Sequence, residues 1–183
     1  FEDTDLSDSI FTEADLDKAD FSGANLASVI SGDVSGSPES LPEEWKLIRG
    51  YLTGPSAVLT GANFSGVNLE GMDLSEAEMS GVSSGGVEGI PLQLPDGWNL
   101  INGYLIGPRA NLSGIDLKEM DLSQANLNGI SSGSVKGEPT ALPENWNIVK
   151  GYLVGPTANL QEANFSEVDF SDANLSGTNF TDV

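Results

Sequence analysis

Residues Ala110 to Ile130 read ANLSGIDLKEMDLSQANLNGI. Cut in fives, the stretch becomes ANLSG, IDLKE, MDLSQ and ANLNG, with Leu112, Leu117, Leu122 and Leu127 at the centres. An amphipathic helix repeats its apolar residues at three and four, and a half-buried strand repeats them at two. A strict period of five fits neither, and it is a repeat signal in its own right.

The same spacing runs from the start of the chain through Phe1, Leu6, Phe11, Leu16, Phe21 and Leu26. Two residues before each later centre stands a small or β-branched residue: Thr4, Ser9, Ala14, Ala19, Ala24. Asp or Asn often lies between, as in Ala14-Asp15-Leu16 and Ala24-Asn25-Leu26. This A(D/N)LXX pattern resembles the pentapeptide-repeat family. The resemblance implies an all-β fold, a right-handed quadrilateral β-helix of about nine coils, with one quintet per side and four per turn. Elementary geometry agrees, because positions two apart in an extended segment face the same way. The small residue and the Leu or Phe therefore point inward together. Stacking at about 4.8 Å per coil gives a single solenoid over residues 1–183, roughly 40 Å long.

Three segments interrupt the quintets, at residues 39–56, 92–109 and 140–157. They read ESLPEEWKLIRGYLTGPS, LQLPDGWNLINGYLIGPR and TALPENWNIVKGYLVGPT, and share the frame LPxxWx(L/I)xxGYLxGP. Every Trp and Tyr of the chain sits in them. From Val34 to Ala57, Val87 to Ala110 and Val135 to Ala158 the interval is 23 residues, which equals four quintets plus three. The favoured expectation is a coil that continues through each segment with a one-residue bulge and a two-residue corner. It requires Leu47, Leu52, Leu100, Leu105, Ile148 and Leu153 to be buried. The competing reading is a β-hairpin standing off the coil, because Asn102-Gly103 between apolar runs is a two-residue turn signal. Arg49-Gly50 and Lys150-Gly151 hold the same place.

Six quintet centres are small: Ser31, Gly36, Ser84, Gly89, Ser132 and Gly137, always just before an LP segment. A nearby Trp or Tyr is expected to fill that hollow. Trp45, Tyr51, Trp98, Tyr104, Trp146 and Tyr152 are also the candidate interaction surface, since aromatic rings on a polar exterior bind sugars or proteins. The structural reading of the same rings is that they cover the register shift.

The chain of 183 residues has 28 acidic and 7 basic side chains, a formal charge of −21, no His and no Cys. Such a balance repels nucleic-acid phosphates and anionic membranes. Without His or Cys, a zinc site or a His-based triad has no material. Carboxylate pairs are frequent (Asp3 and Asp5, Asp15 and Asp20, Asp116 and Asp121, Asp169 and Asp172) but fall at outward positions of a convex rod. General acid–base chemistry needs two carboxyls in a dry cleft with separated pKa values. No cofactor is expected; surface calcium has no EF-hand or glycine-bearing repeat behind it. No run of residues is apolar enough for membrane insertion.

These readings describe a non-catalytic structural or protein-interaction module, a rigid acidic rod belonging to a larger or self-associating assembly. Its expected partners are other protein chains, including end-to-end copies. The chain begins at Phe1 rather than Met and reads as a piece of something longer, with a bacterial surface or extracellular setting its natural home. The family resemblance carries one alternative, a DNA-mimicking protein that binds DNA gyrase. The charge map weakens it: residues 1–34 hold −8 and 160–183 hold −5, leaving −8 for the whole stretch between.

Overall fold

The computed structural model describes residues 1–166, 168–171 and 173–183. Each quintet is a short extended step followed by a turn. Around Leu6, the Ser9 amide donates to the Leu6 carbonyl at 3.1 Å, and Asp8 between them has φ 58°. A positive φ at the third turn residue is the type II signature. Gly61 and Glu119 hold the same place before Ala62 and Met120, with φ 74° and 61°. Gly takes that conformation freely, whereas residues with a Cβ pay about 1–2 kcal/mol.

The Asp or Asn before each centre has a specific duty. Oδ1 of Asp5, Asp121 and Asn126 accepts from the amides of Ser7, Ser123 and Asn128 at 3.1, 2.9 and 3.1 Å. These are Asx turns, in which a short polar side chain stands in for backbone. The A(D/N)LXX text is thus two inward residues flanking a turn cap, then two corner residues.

Parallel bridges join residues twenty apart, as in Asp5↔Asn25, Asp15↔Ser35, Asn68↔Glu88 and Asp116↔Lys136. Four quintets therefore separate each residue from the one stacked against it. No helix occurs among the described residues. Two compact units result: Phe1–Met79 with Val87–Asp96, and Ser80–Gly86 with Gly97–Val183. In the first, Phe11, Leu16, Phe21, Leu26, Val29, Val34 and Leu52 form a buried cluster. Phe1 stacks on Phe21 with ring centroids 5.0 Å apart. In the second, Leu105, Leu112, Leu117, Leu122, Leu127, Leu153 and Leu160 are buried, and Tyr152 lies against Phe165 at 5.0 Å.

The three LP segments correct the favoured expectation. Each is an antiparallel hairpin: β1 (Lys46–Ile48) with β2 (Tyr51–Thr53), β3 (Asn99–Ile101) with β4 (Tyr104–Ile106), and β5 (Asn147–Val149) with β6 (Tyr152–Val154). Leu47 faces Leu52, Leu100 faces Leu105, and Ile148 faces Leu153. A continuing coil would have paired these residues in parallel with a neighbouring turn. The physical reason is the two-residue tip. Arg49 and Gly50 have φ 49° and 80°, Asn102 and Gly103 48° and 78°, and Lys150 and Gly151 48° and 77°. Two successive positive φ values define the type I′ turn, whose twist matches that of the strands it joins.

Stacking partners on either side of a hairpin are 28 residues apart, as in Ile30↔Val58 and Ser131↔Asn159. The excess over twenty equals the length of Lys46–Thr53. The interval of 23 is thus three quintets plus an eight-residue hairpin, and the expected nine coils had counted hairpin residues as coil. The hairpins do not stand off either. Leu52, Leu105 and Leu153 are buried, and Leu47, Leu100 and Ile148 are half-buried. The second strand of each hairpin belongs to the core and the first covers it.

Candidate functional site

The aromatic residues sit where hairpin and coil meet. Trp45 follows a turn in which its amide donates to the Pro42 carbonyl at 2.9 Å. Its ring lies flat against Gly54, where an added Cβ would come within 2.5 Å of Cδ2 and 2.8 Å of Cε2. Trp98 and Trp146 cover Gly107 and Gly155 in the same way. Gly54, Gly107 and Gly155 are the last centres before the quintets resume, so the indole takes the place of a missing Leu or Phe. Trp98 and Trp146 are buried, and Trp45 is half-buried.

The tyrosines do related work one coil earlier. Rings of Tyr51, Tyr104 and Tyr152 lie 3.6, 3.1 and 3.2 Å from the Cβ positions of Gly32, Gly85 and Gly133. All three tyrosines are half-buried. Beside Ser31, Ser84 and Ser132 runs the backbone of the buried Leu52, Leu105 and Leu153. Their amides donate to the Oγ atoms of those serines at 2.9, 2.8 and 2.9 Å. In a hairpin with a two-residue turn, this middle residue directs its N–H away from the partner strand. The serine supplies the acceptor that a buried amide needs. Sequence reasoning missed this role, although Ser-Gly stands before every hairpin segment and twenty residues ahead of each YL pair.

Two hairpin tips are tied down further. The Gly50 and Gly151 carbonyls accept from the amides of Val34 and Val135 at 3.1 and 2.9 Å. Arg49 donates to the Ser65 carbonyl and Lys150 to the Ser166 carbonyl. The third tip residue, Asn102, is exposed.

The carboxylates are engaged in local structure. Asp20 accepts from the hydroxyls of Ser22 and Ser40 and from the Ser22 amide at 2.9 Å. Those hydroxyls hold its carboxyl down at about 2. Asp5 is lowered by the hydroxyl and amide of Ser7, Asp121 by the amide and hydroxyl of Ser123, and Asp169 by those of Ser171. Hydrogen bonds to the charged form favour it, so these groups stay ionised at neutral pH. Of the remaining paired carboxylates, Asp3 and Asp15 are exposed, as is Asp116; Asp172 lies outside the described residues. Among the described residues, no group of three or more acidic side chains is placed to hold a metal ion. No helix among them is long and apolar enough to cross a membrane. A hollow of about 690 Å³ opens beside Phe165, Phe170, Phe180 and Val183, with Glu162 and Asp182 at its rim.

Twenty-residue parallel stacking, Asx-capped type II corners and an inward pair in every quintet define the class, an all-β repeat protein with a β-helical coil. A family model for pentapeptide repeats matches in eight copies over residues 1–29, 56–83, 109–130 and 158–183, more than half of the sequence. The chain belongs to the pentapeptide-repeat family. The three intervals between the matched stretches hold the three hairpins. No curated protein and no solved structure matches the chain.

Proposed function

We propose that the chain is a non-catalytic protein-interaction module, one repeat domain whose two units are right-handed quadrilateral β-helices presenting an acidic outer wall to other protein chains. The observation that carries this reading is what the chemically able side chains are used for. Asp and Asn cap turns, the serines before each hairpin satisfy buried amides, and the Trp and Tyr rings pack on backbone glycines. An ionised Asp20 held by two serine hydroxyls cannot donate a proton at neutral pH, so it is not set up as a general acid. The two corner residues of each quintet face outward without a fixed side-chain duty, and variation there changes partners without changing the fold.

The proposed assembly includes copies of the chain itself. Sedimentation velocity across a hundredfold range of protein concentration tests that part: a rising sedimentation coefficient supports it, and a constant monomer value removes it. A gyrase supercoiling assay tests the DNA-mimic alternative, for which strong, salt-sensitive inhibition would be required. The uneven charge along the chain favours the interaction module.

A further inference from the structure

One outward ladder of the first unit breaks the polar rule. Ile10 bridges Ile30, Ile30 bridges Val58 and Val58 bridges Glu78, so three β-branched side chains stack in line on the outer wall and an acid ends the row. Ile10 is 72% exposed and Ile30 is 40% exposed. The fold does not require apolar residues at outward ladder positions. In the second unit one such ladder reads Asn111, Ser131, Asn159 and Asn179, also across a hairpin, and Asn179 donates there to Asn159 at 3.0 Å.

Acidic corners border the apolar ladder on both sides. Asp8, Ser28, Ser56 and Glu76 stack along one corner through Asp8 N to Ala27 O, Ser28 N to Ser56 O and Ser56 N to Ser75 O. Glu13 and Asp33 occupy the other, where Glu13 N donates to Gly32 O. All four of these acids are exposed; the hairpin tip Arg49-Gly50 lies beside Asp33, with the Arg49 guanidinium engaged by the Ser65 carbonyl. Exposed apolar residues rimmed by charge of one sign mark a surface for a partner of the opposite sign.

We propose that this face binds a basic amphipathic helix of a partner protein, lying along the stacking direction. The proposal rests on the interaction-module reading and names the chemistry of its partner. Coil spacing is about 4.8 Å, and a helix brings one residue to a given face about every 5.4 Å. Successive apolar residues of a helix stripe can therefore meet Ile10, Ile30 and Val58 in turn. Lys or Arg on the two flanks of that stripe would face Glu76 and Asp8 on one side, Glu13 and Asp33 on the other. Such a contact draws orientation and association rate from charge, and discrimination from the apolar row.

The probe is a synthetic helix of about five turns with a Leu stripe and Lys flanks, titrated into the full chain by fluorescence anisotropy at physiological salt. A second peptide keeps the lysines and replaces the Leu stripe with Ser. The double variant Ile10→Asn with Ile30→Ser copies Asn111 and Ser131 of the second unit, and circular dichroism checks its fold. The proposal expects saturable binding that weakens at least about tenfold, or about 1.4 kcal/mol, both in the double variant and with the Ser peptide. Equal binding by wild type and variant, or by both peptides, would mean unspecific charge attraction and would overturn it, as would no saturable binding. Self-association abolished by the double variant would also overturn it, assigning the face to a second copy. Sedimentation of the chain alone reads the assembly question separately, so either reading can fail without the other.

Discussion

Gly107→Ala is the substitution with the most specific consequence. Gly107 is buried, and a Cβ there would fall inside 3.0 Å of the Trp98 ring at Cγ, Cδ2 and Cε2, with the last at 2.8 Å. Real Cβ atoms do not come so close, so the indole must leave its seat. Overpacking of this kind costs about 1–3 kcal/mol. The upper part of that range applies because three atoms of one flat ring are struck and Trp98 is only 8% exposed. Gly114→Ala is the control: Gly114 has φ 73° and nothing within 4 Å of its Cβ. It should cost only the left-handed backbone penalty, about 1 kcal/mol. Urea unfolding followed by far-ultraviolet circular dichroism gives both values, provided the slope is unchanged. Trp98→Ala removes the struck ring, so in that background Gly107→Ala should lose most of its effect. The cycle should show a coupling of about 2 kcal/mol, within the range for residues in contact. A Gly107→Ala cost no larger than that of Gly114→Ala, or a cycle with no coupling, would refute the seating of indole on glycine.

Three further outcomes follow from the same geometry. Ser31→Ala leaves the Leu52 amide without its acceptor in a buried place and should cost about 1–3 kcal/mol, whereas exposed Ser37→Ala should be near neutral in the same urea assay. Lys18→Gly relieves a left-handed residue at φ 58° and should raise stability by about 1 kcal/mol; an unchanged or lowered midpoint would contradict the corner assignment. Because the folded carboxyl of Asp20 is lowered to about 2 from 3.8, its contribution is fully present above the unfolded value and is lost as pH falls from 3.8 to about 2. Acid titration of stability should therefore be shallower in Asp20→Asn over that window, and an identical acid limb would count against the Ser22 and Ser40 hydrogen bonds.

Much of the coil was legible in the sequence because its code is local. A period of five, an inward pair and a turn-prone remainder are all set within single quintets, and each quintet repeats the message. The hairpins were less legible because two local codes compete at the same residues. Leu47 and Leu52, Leu100 and Leu105, and Ile148 and Leu153 are each five apart, which continues the quintet count, and they are also cross-strand partners in a hairpin with a two-residue turn. Arg49-Gly50, Asn102-Gly103 and Lys150-Gly151 decide between them through backbone conformation, and that preference outweighs a spacing match. The aromatic assignments depended on this choice. Once eight residues leave the coil, Gly54 rather than Leu52 becomes a quintet centre, and Trp45 has a seat to occupy. The duty of Ser31 could not be read from spacing alone, since it exists only to satisfy an amide of a strand twenty-one residues away. The apolar ladder Ile10, Ile30, Val58 was hidden for the same reason, as the hairpin shifts its third member by eight.

Two-dimensional NMR of the labelled chain tests the hairpin-bearing coil most directly. Leu47 and Leu52 form a non-hydrogen-bonded antiparallel pair, in which the Cα atoms are about 4.5 Å apart. Strong Hα–Hα cross-peaks should join Leu47 to Leu52, Leu100 to Leu105 and Ile148 to Leu153. Absence of all three cross-peaks, with Leu47 instead showing parallel-strand contacts to residues one coil away, would contradict the structure described above and restore the uninterrupted coil.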